Sequence, residues 1–584
     1  MFQSFFFLFS YIGAVLVFLL LKKSEEKQYI GMWLGISIMS ISCLQVMIAG
    51  LFSLMHIPVN IVSLGICNTV FLLISGWLIY KSKSVQRYII EWCDIIFVIG
   101  VTLVVLLFWY KHYGTEFNIH YLSVDPTAHF RHALYTVNNE SVYGMFFAAI
   151  QNSILIELFS PILTPGTYYV AYIIGDVLYL WLAGIMFWAV IRKYMTNQFM
   201  KIAAVIVSFL YLFGYPLNVT IFGFSYFGLG ITVIAYIIAV TEEYLEDSIP
   251  KKLSVFLMSL GCFGIFVSYV MFMPVVFFAV LLVILIKQYS QKKLISWETV
   301  RVGLGVFLIP TIMGLYYIYS GTFINGHTAE STIVIEGGVY RDIFSNFILI
   351  FPFALYAFIK MIKEKKNSVI LAITLLQVLF TVGMFVMVMK QKSSSYYFFK
   401  NHYLLWLLGL LLAYFCLQYL DKVAKTIVAI GVALWGTMVS LWVFGLEYAV
   451  QNKVPLMVLT PKAGILSDIY VFNRDAMCIP EYSKEITELY TYVCDNILSY
   501  NDCEVPVAGT WEDYMWMTAV TNHDNSPIYW LWSVGDESFI GALKESANYV
   551  IVLYDRDVYS NNKEYFESLE KVYCNGAGYI AVIK

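Results

Sequence analysis

Apolar runs long enough to cross a bilayer recur down most of this chain, and that repetition restricts what it can fold into. Crossing a bilayer core takes about 20 residues of helix, and only helices or closed barrels satisfy every backbone amide inside it. These runs are continuous rather than alternating, so helices are expected. They fall at 2–21, 29–52, 58–80, 88–110, 167–191, 202–216, 218–241, 253–270, 272–287, 300–319, 346–363, 368–389, 402–420 and 426–446, about fourteen spans. The first run has no basic segment before it and no small-residue cleavage site after it, so it reads as a retained span.

Loop charge sets the orientation, because short cytoplasmic loops collect Lys and Arg. One set of loops carries 21 of these residues, from Lys22 and Lys23 through Lys422 and Lys425, and the opposite set carries six. The basic set is therefore assigned to the cytoplasm. The loops at 111–166, 320–345 and 390–401 and the C-terminus then face outward. No basic tail or aromatic-basic interleaving points to nucleic acid.

Charged residues make up only 13% of the chain, which makes "HYLSVDPTAHFRHALY" (120–135) conspicuous. A helix from Pro126 to about Asn138, capped by Asp125, places Asp125, His129 and His132 at i, i+4 and i+7, near one face. Asp125 has two readings: a helix cap, or a general base that takes a proton from an attacking hydroxyl. The spacing of Asp125, His129 and His132 also permits a divalent metal. Arg131 lies beside them, and His120 blurs which imidazole matters. A second apolar segment, 142–160, is expected to lie in the interface. Crossing there would invert every later loop and destroy the charge asymmetry.

Three lysines of the outward set, Lys390, Lys392 and Lys400, flank Tyr396 and Tyr397 in "MKQKSSSYYFFKNHY". Outward cations at the bilayer surface suit a lipid-linked phosphate, although lysines at span ends also snorkel to headgroups. Arg341 follows His327, Glu330 and Glu336 in its loop, where it either binds the same anion or pairs with Asp342. Asp176, about 14 Å down its span at the helical rise, is an intramembrane candidate or a hydrogen-bonded packing residue. The stretch "FGYPLNVTIFGFSYFGLG" (213–230) reads as close helix packing.

From about 465 the pattern changes. "EVPVAGT" and "YVIVLYD" read as strands, "WEDYMWMTAVTN" and a charged segment near 562–571 as helices, and "GYIAVIK" as a last strand. Alternation of this kind suggests a small α/β domain with a largely parallel sheet. It holds no glycine-rich phosphate loop. Cys478, Cys494, Cys503 and Cys574 leave room for one or two disulfides.

Taken together, the outward "SVDPTAHFRH" and "SSSYYFFKNHY" and the appended domain resemble the GT-C superfamily of polytopic membrane glycosyltransferases. The resemblance is one of architecture, covering about 88–584. It implies three extra spans in 1–87, a GT-C-like core in 88–446 with a large outward loop at 111–166, and a soluble extracytoplasmic α/β domain in 447–584. It further implies a cell-membrane enzyme that takes a sugar from a polyprenyl-phosphate donor to a cell-envelope glycan or lipid-linked acceptor, probable inversion included. Asp125 would be the catalytic acid of the loop. His129, Arg131, His132, Arg341, Lys390, Lys392, Tyr396, Tyr397 and Lys400 would bind substrate. Many members carry paired acids, whereas this chain offers one, followed by proline. The resemblance fixes no cofactor, and a divalent metal bound by Asp125, His129 and His132 stays open. The rival readings are a transporter or flippase using Asp176, a polysaccharide polymerase or ligase, and a non-catalytic scaffold.

Overall fold

The computed structural model describes residues 1–142, 147–294, 296–319, 333–366, 368–444, 468–477, 482–524 and 536–584. His327, Glu330 and Cys478, singled out above, and residues 143–146 of the 142–160 segment lie outside the described residues. Twelve helices among the described residues are long and apolar enough to cross a membrane.

The first four helices are α1 (Phe2–Leu20), α2 (Ile30–Leu54), α3 (Ile61–Ser82) and α4 (Trp92–His112). The end of α1 leaves carbonyls without amide partners, as every helix end does. Lys23, only 2% exposed, folds back to donate to the carbonyls of Phe18, Leu19 and Leu21 at 2.5, 3.0 and 3.0 Å. Its positive charge also suits the negative end of the helix dipole. At the same end of the bundle, β1 (Gln28–Tyr29) and β2 (Tyr88–Ile89) form a short parallel pair. Arg192, fully buried, completes that end. It donates to Asp94 at 2.6 Å and Glu91 at 2.8 Å and lies over the Tyr29 ring.

At the opposite end, α5 (Asp125–Asn139) and α6 (Phe147–Phe159) lie in the long loop after α4. Pro126 fits the first turn of α5, where its missing N–H is not needed. The buried stripe of Phe130, Ala133 and Leu134 faces the bundle. Its 13 described residues give α6 ~20 Å, shorter than the ~30 Å core, and it is not among the twelve. It packs against α5, α2 and α7 (Tyr169–Ile191). The turn between α2 and α3 fastens this loop. The Val59 amide donates to the Glu140 carbonyl at 2.8 Å, Ser53 and Ser141 share a hydrogen bond, and the Ile61 amide donates to Glu157 at 2.7 Å.

The bundle continues with α8 (Gln198–Phe213), the short α9 (Tyr215–Phe222), α10 (Ser225–Leu245), α11 (Lys251–Ser268), α12 (Met273–Ser290) and α13 (Trp297–Tyr319). Then come α14 (Phe351–Glu364), α15 (Ser368–Met389), α16 (Ser395–Tyr419) and α17 (Lys422–Val443). Within the expected spans at 346–363 and 426–446 lie α14 and α17, which are not among the twelve; α14 has only 14 residues. Gly223, at φ +76°, ends α9 in the left-handed region that glycine tolerates. A side chain there would run into Pro126, so this glycine sets how closely α5 approaches the α9–α10 corner.

The C-terminal part contains α18 (Asp468–Met477), α19 (Lys484–Tyr492) and α20 (Trp511–Thr521), with a four-stranded sheet. The strands are β3 (Val507–Ala508), β4 (Tyr549–Leu553), β5 (Glu570–Cys574) and β6 (Gly578–Val582), in the order β3-β4-β6-β5. Only β3 and β4 run parallel; the other two pairings are antiparallel. The largely parallel sheet expected from the sequence is thus corrected. The segment near 562–571, expected to be one helix, ends at Glu567 and turns into β5, which hairpins directly into β6. Cys494, Cys503 and Cys574 are free thiols, so no disulfide forms among the described cysteines. Asn473 on α18 welds this part to the bundle, donating to the carbonyls of Phe213 and Gly214 and accepting from Asn218.

Candidate functional site

Asp125 and the start of α16 meet at one point, although 270 positions separate them in the chain. The Tyr396 hydroxyl and the Lys400 ammonium both lie close enough to the Asp125 carboxylate to act on its charge. Lys400 is 1% exposed and sits in a cage of aromatic rings. Its Nζ lies 4.1 Å from the Tyr396 ring centre, 4.5 Å from Phe224, 5.2 Å from Phe227 and 5.3 Å from Tyr226. It donates to the Tyr226 hydroxyl at 3.1 Å. Electron-rich ring faces hold a desolvated cation in this way. The His129 ring lies 4.1 Å from the Tyr226 ring, closing the cluster from α5.

The capping role expected for Asp125 is not what the structure contains. The helix begins at Asp125 itself, with Val124 at the cap position, and the Ser123 hydroxyl accepts from the Asp125 amide at 3.1 Å. Serine has taken over the local hydrogen bond, and the Asp125 carboxylate caps no amide. Burial raises the Asp125 carboxyl above the ordinary range; the Lys400 charge and the neighbouring Tyr396 hydroxyl pull it back only in part. Burial lowers His129 to about 3, helped by His132 and Lys400, and lowers His132 to about 4, helped by Arg131. Both imidazoles are therefore neutral near pH 7, and neither supplies a positive charge. Their rings stand perpendicular at 5.8 Å. No group of three His, Cys, Asp or Glu side chains that would hold a metal occurs among the described residues, so the spacing of Asp125, His129 and His132 does not become a ligand set.

The remaining candidates divide. Arg131 points to the C-terminal part, where it pairs with Asp524 at 2.6 Å. With His132, Tyr135, Asn138, Asn139 and Asn522 it lines a groove of about 300 Å³. Arg341 pairs with Glu336 at 3.5 Å rather than with Asp342, which accepts instead from Ser345. Its guanidinium lies 5.7 Å from the Phe399 ring, beside the start of α16. Tyr397 is half-buried, and Lys390 and Lys392 stand exposed just before α16.

Asp176 is fully buried and satisfied. It accepts from Tyr121 at 2.6 Å and from Ser225. Tyr121 also stacks on Trp516 of α20 at 5.5 Å. This carboxylate thus links Tyr121 of the long loop to Ser225 at the start of α10. Sequence reasoning missed Tyr226 and Phe224, which belong to the glycine-rich 213–230 stretch, and also Tyr269, whose ring Lys400 faces at 5.5 Å. The stretch had stood out for its glycines, and the aromatics between them carry the cage.

No family model matches the chain, and no curated protein matches it in sequence. Among solved structures, ArnT from Cupriavidus metallidurans bound to undecaprenyl phosphate is similar at 11% identity and a TM-score of 0.47. The same protein in its apo state is similar at 12% identity and a TM-score of 0.49. Each match covers 84% of this chain and 98% of that one. Likeness at this level assigns neither an activity nor site residues here.

Proposed function

We propose that this chain is a membrane glycosyltransferase that moves a sugar from a polyprenyl-phosphate donor to a cell-envelope glycan or lipid-linked acceptor on the outer face of the membrane. The supporting observation is the meeting of Asp125 with Tyr396 and Lys400. A half-buried carboxylate with no capping task has a raised proton affinity and lies beside a phenol and a buried cation. A general base works best with its proton affinity near the working pH, and burial moves Asp125 that way.

In the reaction, the acceptor hydroxyl oxygen attacks the anomeric carbon while its proton passes to Asp125. The bond from that carbon to the phosphate oxygen breaks, and the polyprenyl phosphate leaves with the electron pair. One displacement of this kind inverts the anomeric carbon. Lys400 and Tyr396 provide the local field that favours the departing phosphate. The exposed Lys390, Lys392 and Arg341 draw the lipid phosphate toward the start of α16. Neutral His129 and His132 orient by hydrogen bonding, and the groove beside Arg131 receives the acceptor. The positive-inside asymmetry of the loops supports an outward site.

The test is transfer from radiolabelled polyprenyl-phosphate sugars to crude cell-envelope acceptor by the purified chain and by Asp125→Asn. Asn keeps the volume but cannot take the proton. Loss of about 10²–10⁴-fold, the usual worth of a general base, is expected at an unchanged melting temperature. Equal transfer by both proteins removes Asp125 from the chemistry. No transfer by the wild type with any donor refutes the transferase reading.

A further inference from the structure

Residues 333–341 lie as a strap across the start of α16. The Ser394 amide donates to the Ile333 carbonyl at 2.8 Å. Gly337 rests on the Tyr396 ring, which a side chain there would strike. Further along, Tyr340 is buried against Phe472 of α18 and Tyr215 of α9, at 5.1 and 6.1 Å between ring centres. Within this strap the Glu336 carboxylate sits on the end of α16. It accepts from the Ser395 amide at 2.9 Å and from the Ser395 hydroxyl at 3.3 Å, and it pairs with Arg341 at 3.5 Å.

Free amides and the helix dipole make a helix N-terminus receptive to anions, and a second feature marks this one. Ser394 holds the cap position, yet its hydroxyl accepts from no first-turn amide. That hydroxyl is buried, on a residue only 6% exposed, and has no partner among the described residues. The carboxylate that covers the helix end is itself open to solvent: Glu336 keeps 57% of its side-chain surface exposed and Arg341 51%. Exposed ion pairs hold weakly, so an anion of higher charge can displace this one.

We propose that the start of α16 is a phosphate subsite and that Glu336 is its internal competitor. In the empty protein the carboxylate holds the subsite. A lipid phosphate displaces it and takes over the Ser395 amide, the Ser395 hydroxyl and Arg341, and the Ser394 hydroxyl becomes a further donor as the strap lifts. The choice of ligand rests on the transferase reading. In that reaction the donor is a phosphodiester with a single negative charge, whereas the polyprenyl phosphate that leaves is a monoester carrying about 1.5–2. The product is thus the tighter ligand, and the return of Glu336 speeds its release.

The test titrates the full-length protein in mild detergent with polyprenyl phosphate or polyprenol, with inorganic phosphate as a competitor, and native mass spectrometry counts bound lipid. Occupation by Glu336 weakens apparent affinity by the fraction of molecules whose subsite is free. For a contact worth one ordinary hydrogen bond, Glu336→Ala should bind polyprenyl phosphate about fivefold more tightly and polyprenol no differently. Adding Arg341→Gln should weaken the phosphate binding again. Equal or weaker binding of polyprenyl phosphate by Glu336→Ala overturns the proposal, as does an equal gain for polyprenol, which marks a strap that merely covers the lipid tail. Inorganic phosphate that competes at the lipid's own concentration overturns the choice of ligand. In the wild type, polyprenyl phosphate but not polyprenol should open 333–341 to protease, and unchanged cleavage refutes displacement without any variant. Neither readout needs turnover, so a protein that passes both and transfers no sugar keeps the subsite and loses only the transferase reading.

Discussion

Removing one oxygen from Tyr121 tests whether Asp176 is a fastening or a working intramembrane acid. Tyr121→Phe keeps the ring and its stacking on Trp516, so it isolates the hydroxyl that donates to Asp176 at 2.6 Å. Asp176 then keeps only Ser225, at full burial. Leaving part of a buried polar group unsatisfied costs about 1–3 kcal/mol, a 5–150-fold rise in the population of the undocked loop. The reporter is hydrogen exchange at Leu122, whose amide donates to the Ile221 carbonyl at 3.0 Å and opens only when the loop lifts. Protection at 119–124 should fall by that factor, while the C-terminal sheet is unaffected. A cycle with Asp176→Ala should be strongly non-additive, because both changes break the same contact. Unchanged exchange in Tyr121→Phe, or simple additivity in the cycle, would refute the fastening role and return Asp176 to the transport reading.

Gly223→Ala should lower stability by more than the ~1 kcal/mol upper end of compatible glycine replacements, since it combines positive φ with a collision against Pro126; thermal melting checks it, with transfer falling as α5 is displaced. Exchanging the charges of Arg131 and Asp524 one at a time should loosen the C-terminal part by no more than ~1 kcal/mol, because the pair is partly exposed, and the double exchange should restore it in a proteolysis assay. His129, lowered to about 3 in the folded protein from an ordinary 6.5, contributes stability that is fully present above pH 6.5 and is lost progressively as pH falls toward 3. The melting temperature should therefore drop on acidification across that window, and His129→Phe should flatten the drop.

The bilayer made most of the bundle legible, because a fixed hydrocarbon thickness demands long apolar runs whatever their packing. Two features of the cluster were also visible: Asp125 stands out as a lone acid, and Lys400 defies the charge bias of its loop set. Their meeting was hidden, since nothing in either segment encodes the other. The cage was hidden for a different reason. In a chain with 18% aromatic residues, Phe224, Tyr226 and Tyr269 look like any other membrane filler until a cation is placed among them. The capping error is local: Asp before Pro fits a cap, but Ser123 two residues earlier supplies the oxygen and moves the helix start. In the sheet, "EKVYC" opens on two charged residues and does not alternate, so it blends into the helix before it.

The first three helices are pinned to the rest of the molecule at both ends of the bundle. Arg192 and the β1–β2 pair hold one end, while Glu140, Glu157 and Ser141 hold the other beside the helix that starts with Asp125. A segment so attached is not a cassette that divergence can add or drop in one step. Any ancestor without it had to answer the Ile61-bound carboxylate and the Tyr29-covered guanidinium in some other way. The trace of such a history would be paired changes at positions far apart in the chain, rather than a clean boundary near residue 88.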